Sequence, residues 1–176
     1  MPNHVFIATS LDGYIATTDG GLDWLDVPNP DQSDFGYGEF ISGVDAIVMG
    51  RRTFEKVMTF GSWPYEKPVF VLSNTITNVP EPVKEKVELL GGDVRTVIKE
   101  LKVRGYANLY IDGGRVIQSF LREDLIDELI LTRIPVLLGG GIPLFGQLDT
   151  ELNLKHRKTE TFGNGLVISR YYRDRR

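Results

Sequence analysis

The chain of 176 residues has no cysteine and only two histidines, His4 and His156. Without thiols there is no disulfide, no thiolate nucleophile and no cysteine-based metal site. The histidines are far apart and lack ligand spacing, so no metal is expected and a zinc enzyme is disfavoured. Neither sign of charge dominates. Lys and Arg number 20 against 24 Asp and Glu, a formal net charge of −4, which argues against a nucleic-acid partner. The basic run from Arg170 to Arg176 reads as a solvated tail rather than a binding patch. No stretch reaches the roughly 18 apolar residues of a membrane span, and no signal-peptide pattern opens the chain. A cytoplasmic protein without a membrane partner is the expectation. A full GxGxxG and a GxxxxGK[ST] are also missing, so neither the usual dinucleotide fingerprint nor a P-loop is present.

What is present suits one domain over 1–176 with a substantial core. Val5 to Ala8 reads as a short buried strand. A polar, glycine-rich stretch from Ser10 to Ser33 follows, with Gly13, Gly20, Gly21, Pro28 and Pro30; loops of that length in compact domains are usually functional. Phe35 to Ile41 is expected as a short helix, Asp45 to Met49 as a strand, and Thr53 to Met58 as the start of a helix. Pro68 to Ser73 and Val87 to Leu90 read as strands, with a short helix starting at Pro80 between them. Asp93 is placed to cap a helix to Val103, with Val94, Val97, Ile98 and Leu101 on one face. Leu109 to Ile111 is a strand, and Val116, Ile117, Phe120 and Leu121 recur at helical spacing after it. A long strand from Leu125 to Ile134 and a closing hairpin over Leu152 to Arg173, turning at Gly163-Asn164-Gly165, complete the chain. Alternating strands and helices with an antiparallel end predict a three-layer α/β fold with a mixed, mostly parallel sheet.

In such sheets ligands gather at the carboxyl ends of strands. Three strand ends here have suitable chemistry. At Asp112-Gly113-Gly114-Arg115-Val116-Ile117 a strand turns through two glycines into a helix, leaving unpaired N–H groups at the positive end of the helix dipole. At Gly50-Arg51-Arg52-Thr53 a glycine permits close approach, the arginines supply charge, and Thr53 can cap or donate. At Leu72-Ser73-Asn74 the polar side chains suit a ribose phosphate or an ordinary turn. Taken together they suggest a nucleotide laid along the sheet edge. Two arginines beside its ribose favour a 2′-phosphate, hence NADPH over NADH.

The order of motifs resembles the dihydrofolate-reductase-like superfamily, and within it stand-alone proteins similar to the reductase domain of bifunctional riboflavin-biosynthesis enzymes. The matching pieces are Thr9-Ser10-Leu11-Asp12-Gly13-Tyr14-Ile15-Ala16, Leu22-Asp23-Trp24-Leu25, the run from Asp45 to Glu55, Tyr110-Ile111-Asp112-Gly113-Gly114, and the run from Pro135 to Phe145. The resemblance implies a three-layer αβα fold with a sheet of about eight strands. It also implies an NADPH site: Gly50 to Thr53 at the adenine-side phosphates, Ser73 and Asn74 at the 2′-phosphoribose, Gly113 to Ile117 at the pyrophosphate, and Ala8 and Ile15 around the nicotinamide. Homodimers through the C-terminal strands are a further implication, and the apolar stretch from Ile134 to Phe145 fits a covered surface. Dihydrofolate reductases have a cis Gly-Gly bond at the step that Asp112-Gly113 occupies here.

For catalysis the sequence leaves alternatives open. Asp34 stands where dihydrofolate reductases place their acid, and it also reads as a helix cap before Phe35. Asp12 is either an acid or the residue that holds its turn. Thr132 lies where the superfamily has a hydroxyl near the substrate, or is simply a half-buried strand threonine. Trp24, Phe35 and Arg133 are candidate substrate contacts. The leading expectation is an NADPH-dependent reductase of a small pyrimidine- or pteridine-like substrate, of the 5-amino-6-(5-phosphoribosylamino)uracil reductase type. A dihydrofolate reductase and a nucleotide-binding protein without efficient turnover are the alternatives.

Overall fold

The computed structural model describes residues 2–29 and 32–176; Pro30 of the glycine-rich stretch lies outside them. Ten strands and four α-helices follow one another among the described residues: β1 (Asn3–Ser10), β2 (Tyr14–Ala16), α1 (Tyr37–Ser42), β3 (Ala46–Gly50), α2 (Arg51–Val57), β4 (Val69–Leu72), β5 (Val87–Leu90), α3 (Val94–Val103), β6 (Leu109–Asp112), α4 (Gly114–Arg122), β7 (Glu128–Ile134), β8 (Ile142–Pro143), β9 (Leu154–Thr161) and β10 (Val167–Arg173). Eight strands form one sheet in the order β5-β4-β3-β6-β1-β7-β10-β9. The first six run parallel, and β10 and β9 return antiparallel at the edge. This is the mixed, mostly parallel α/β sheet with a C-terminal antiparallel pair that the alternation of elements predicts. No described helix is long and apolar enough to cross a membrane.

Both faces of the central strands are covered, which is why they read as unbroken apolar runs. In β3, Ala46 and Val48 face the layer of α3 and α4, where Val97, Ile98, Leu101, Val116, Ile117, Phe120 and Leu121 are buried. Ile47 and Met49 face the other layer, against Phe54 of α2 and the aromatic side of α1. Asp93 caps α3 by accepting from the amides of Arg95 and Thr96, each at 3.0 Å.

Some boundaries shift for local reasons. α1 starts at Tyr37 rather than Phe35, because Phe35 and Gly36 both have positive φ (54° and 83°). β7 starts at Glu128 rather than Leu125, since the Leu125 carbonyl turns to accept from Asn3 Nδ2. β2 and β8, too short to show periodicity, pair with each other in a separate two-stranded sheet. The basic C-terminus is not a solvated tail. Arg170 to Arg173 are strand residues, and Arg173, Arg175 and Arg176 pair with Asp124, Asp127 and Asp174.

Candidate active site

Parallel strands deliver their carboxyl ends to one edge. In register, Gly50 of β3 lies beside Leu72 of β4, Asp112 of β6 beside Met49, and Ser10 of β1 beside Ile134 of β7. The glycine turn after β6 is the centre of this edge. Gly113 has φ +88°, and a Cβ there would sit 2.2 Å from Thr53 Oγ1 of α2. A Cβ on Gly114 would meet Ile15 Cδ1 of β2 at 2.7 Å and the Pro143 carbonyl of β8 at 3.4 Å. The two glycines thus let α2 and the small β2–β8 sheet close onto the start of α4. Gly113 offers no side-chain cap, and the first amide bonded back is that of Ile117, to the Gly113 carbonyl at 2.9 Å. The amides of Gly114, Arg115 and Val116 have no intrahelical acceptor, as in any first helical turn. Arg115 is exposed beside them. Asp112–Gly113 is trans, and no described peptide bond is cis.

The other two strand ends are tied together. Arg51 donates from Nη1 to Thr75 Oγ1 at 2.9 Å and pairs with Glu55 at 3.1 Å. That contact joins the start of α2 to the turn after β4, where Ser73 Oγ accepts from the amides of Thr75 and Ile76 at 3.1 and 3.0 Å. Arg52 and Asn74 are exposed on the same edge. Ala8, Thr132 and Ile168 share one row across β1, β7 and β10, with Thr132 buried. Arg133 follows Thr132 and so faces the opposite side of the sheet, exposed and apart from this row.

Two candidate acids are engaged elsewhere. Asp34 accepts from the amides of Gly36 and Gly38, both at 2.9 Å, and so ties down the start of α1, whose N-cap residue is Gly36. Asp12 accepts from Ser10 Oγ at 2.6 Å and from the amides of Leu138 and Gly139 at 3.1 and 2.8 Å, latching the loop after β1 to the loop after β7. Hydrogen bonds hold both carboxyls below the usual range, chiefly from Ser10 for Asp12 and from Gly36 for Asp34. Phe35 stacks edge-on against Phe162 of the hairpin turn, 5.1 Å between centroids. Trp24 is half-buried in a 3-10 turn, its Nε1 buried without a partner among the described residues.

Sequence reasoning passed over the acid at the end of β6. Asp112 is half-buried and accepts from the Gly113 amide at 2.8 Å. Loss of water around it pushes its pKa up to about 6. It shares its surroundings with Tyr37 of α1, Tyr65 of the loop before β4, and Tyr110. Burial raises the pKa of all three, and the negative charge of Asp112 adds to the rise. Tyr110 donates to the Phe6 carbonyl at 2.9 Å, and Phe6, Tyr37, Phe40 and Tyr110 pack together. Trp63 stacks on Tyr65 and Phe54, its Nε1 buried without a partner among the described residues. A carboxyl with a raised pKa at a strand end, walled by aromatic rings and next to open helix amides, is able to exchange a proton with a flat, polar ligand. Its signal in the sequence was its place, immediately before the glycine turn.

Comparison with known proteins gives the geometry its context. The architecture is dihydrofolate-reductase-like. A structure from Shewanella sp. PV-4, provisionally described as a riboflavin biosynthesis protein, overlays with TM-score 0.96 at 52% identity, covering 99% of this chain and 100% of that one. YwjB, an uncharacterised protein of Bacillus subtilis (strain 168), is 38% identical over 167 residues, covering 93% of this chain and 94% of its own length. The diaminohydroxyphosphoribosylaminopyrimidine deaminase/5-amino-6-(5-phosphoribosylamino)uracil reductase of Thermotoga maritima shares the fold, with TM-score 0.75 at 16% identity over 98% of this chain and 56% of that one. The RibD C-terminal domain family matches residues 4–168, and the chain belongs to that family.

Proposed function

We propose that this chain is an NADPH-dependent reductase of the riboflavin type, acting on a small pyrimidine-like substrate such as 5-amino-6-(5-phosphoribosylamino)uracil. The observation that carries the reading is the β6–α4 corner, where uncapped amides and a desolvated acid stand side by side. The corner fits the cofactor in its donors: the amides of Gly114, Arg115 and Val116 have no intrahelical acceptor, and open N–H groups at a helix start suit a pyrophosphate. Gly113 to Ile117 would hold the pyrophosphate. Gly50 to Thr53 with Ser73 and Asn74 would hold the phosphorylated ribose, and Ala8 and Ile15 would flank the nicotinamide. When bound, NADPH supplies a hydride.

The chain's own groups do the rest. The opened ribosylamino group would present a C=N bond for reduction at carbon, and Asp112, protonated, would give its proton to the nitrogen. With a pKa of about 6, Asp112 keeps a usable protonated fraction near neutral pH. Phe6, Tyr37, Tyr65 and Trp63 exclude water and flank the heterocycle. A homodimer is part of the same reading. β9 is an exposed edge strand, and Leu137 and Phe145 are exposed at 68% and 48%; sedimentation at micromolar concentration is expected to give the mass of two chains.

The test is NADPH oxidation with the phosphoribosylaminouracil, followed by nicotinamide absorbance. Turnover is expected, and Asp112→Asn should lower kcat about 100-fold while leaving NADPH affinity unchanged. Turnover of dihydrofolate instead identifies a dihydrofolate reductase. Tight NADPH binding without oxidation across a panel of reducible heterocycles identifies a binding protein.

A further inference from the structure

The C-terminal hairpin and α1 line a small polar hollow. It has a volume of about 220 Å³ and is lined by Arg157 and Lys158 of β9, Arg170 and Tyr172 of β10, and Glu39 of α1. Successive residues of a regular strand point to opposite faces, so Arg157 and Lys158 should not line one hollow. They do because β9 is irregular at this point. Arg170 pairs with Lys158 and Tyr171 with His156, which leaves Arg157 as the extra residue of a β-bulge. A bulge re-aims a side chain. Here it brings Arg157 round to the face of Arg170, where its guanidinium lies over the Tyr172 ring, 5.1 Å from the centroid.

The charge pattern of the hairpin sets these residues apart. Lys155, Arg173, Arg175 and Arg176 all have carboxylate partners in Asp174, Asp124 and Asp127. Arg157 and Arg170 form no ion pair among the described residues, and Lys158 pairs only with the exposed Glu160, at 2.9 Å. Glu39 is the one carboxylate lining the hollow. Glu128 lies behind Tyr172; its Oε2 is bonded to His4 Nδ1 at 2.6 Å, and its charge acts on Arg170. Two arginine forks without an ion pair among the described residues and the ammonium shared with Glu160 line one small volume. A planar carboxylate would engage one fork; a tetrahedral dianion has enough oxygens for all three cations. Glu39 at the side is placed to accept a hydrogen bond from a hydroxyl.

We propose that this bulge-built hollow binds a small hydroxylated phosphomonoester, at a site separate from the reductase cleft and independent of the reading of that cleft. The phosphate takes Arg157, Lys158 and Arg170, and a neighbouring hydroxyl takes Glu39. The test is titration of the full chain, labelled for amide NMR, with glycerol 3-phosphate and with inorganic phosphate. Shifts are expected at Lys158, Glu39 and Ser169 to Tyr172, with the ester binding more tightly than inorganic phosphate. Arg157→Ala with Arg170→Ala should weaken binding at least about tenfold. Arg157→Lys with Arg170→Lys, which keeps the charge if the bulge tolerates no alanine, should retain part of it. Shifts confined to Gly50–Thr53 and Gly113–Ile117, or unchanged affinity in the alanine variant, would overturn the site. Equal affinity for inorganic phosphate would overturn its assignment to an ester.

Discussion

In the segment after β1, Asp12 and Asp34 are exposed to water and accept two or three hydrogen bonds each. At the end of β6, Asp112 accepts the Gly113 amide, lies against the Tyr110 hydroxyl and sits among aromatic rings. The same side chain is therefore driven in opposite directions. Hydrogen bonding to the charged form dominates in the first region and lowers the pKa; desolvation dominates in the second and raises it. A carboxylate that spends its lone pairs on backbone amides holds a loop or a helix. One that is short of partners keeps a proton to give. Nearness to the cleft does not separate structural from chemical acids, but their partners do.

The strongest way to break this contrast is to spoil the corner that creates it. Gly113→Ala places a Cβ 2.2 Å from Thr53 Oγ1 at a φ of +88°. We expect a loss of about 3 kcal/mol or more of stability, read from denaturant unfolding. NADPH affinity, measured by calorimetry on whatever folds, should fall with it. A variant that folds and binds NADPH as the parent does would show that the close approach of α2 to this turn is not needed.

The next test reads the contrast as opposite slopes of stability against pH. Asp112 has a folded pKa of about 6, above its ordinary value of 3.8. Between those values the folded state holds the proton more strongly than the unfolded chain. Stability therefore falls as pH rises through that window, by an amount on the order of 3 kcal/mol if the shift is fully expressed. Asp12 and Asp34, with lowered pKa values, contribute stability above the ordinary carboxyl pKa and lose it as pH falls through their folded values. Asp112→Asn should remove the decline between about pH 4 and 6 and raise the melting temperature at pH 8 relative to the parent. An unchanged pH profile in Asp112→Asn would show that the carboxyl is solvated, and would remove the basis for its role as an acid.

The difference between these acids also marks what the chain discloses before folding. Strand ends, the Asp93 cap and the closing hairpin rest on local pattern, so Gly50, Ser73 and the Gly113-Gly114 turn could be placed on one edge from sequence. Asp112 stood in view within that turn. Its raised pKa depends on burial, which distant segments create only once the chain has folded. Arg157 is hidden for a different reason. Strict alternation along β9 assigns it to the wrong face, and a single unpaired residue reverses that. β2 and β8 are too short for any periodicity, although they close the site through Ile15 and Pro143.

The smallest effects are expected in the first region. Asp34→Asn keeps one acceptor oxygen where the carboxylate uses both, Oδ1 toward Gly36 and Oδ2 toward Gly38, and should leave kcat unchanged with a modest drop in melting temperature. Asp12→Asn retains one acceptor oxygen where the carboxylate uses both, toward Ser10 and Leu138 through Oδ1 and toward Gly139 through Oδ2. The latch between the loops after β1 and β7 should loosen without coming undone. We expect kcat within about twofold of the parent and a modest rise in KM, since the latched loop leads into β2 and Ile15. A kcat loss in Asp12→Asn as large as in Asp112→Asn, with KM unaltered, would move the proton donor to the loop and reverse the contrast. The two steady-state parameters distinguish a loop held less firmly from a proton withheld.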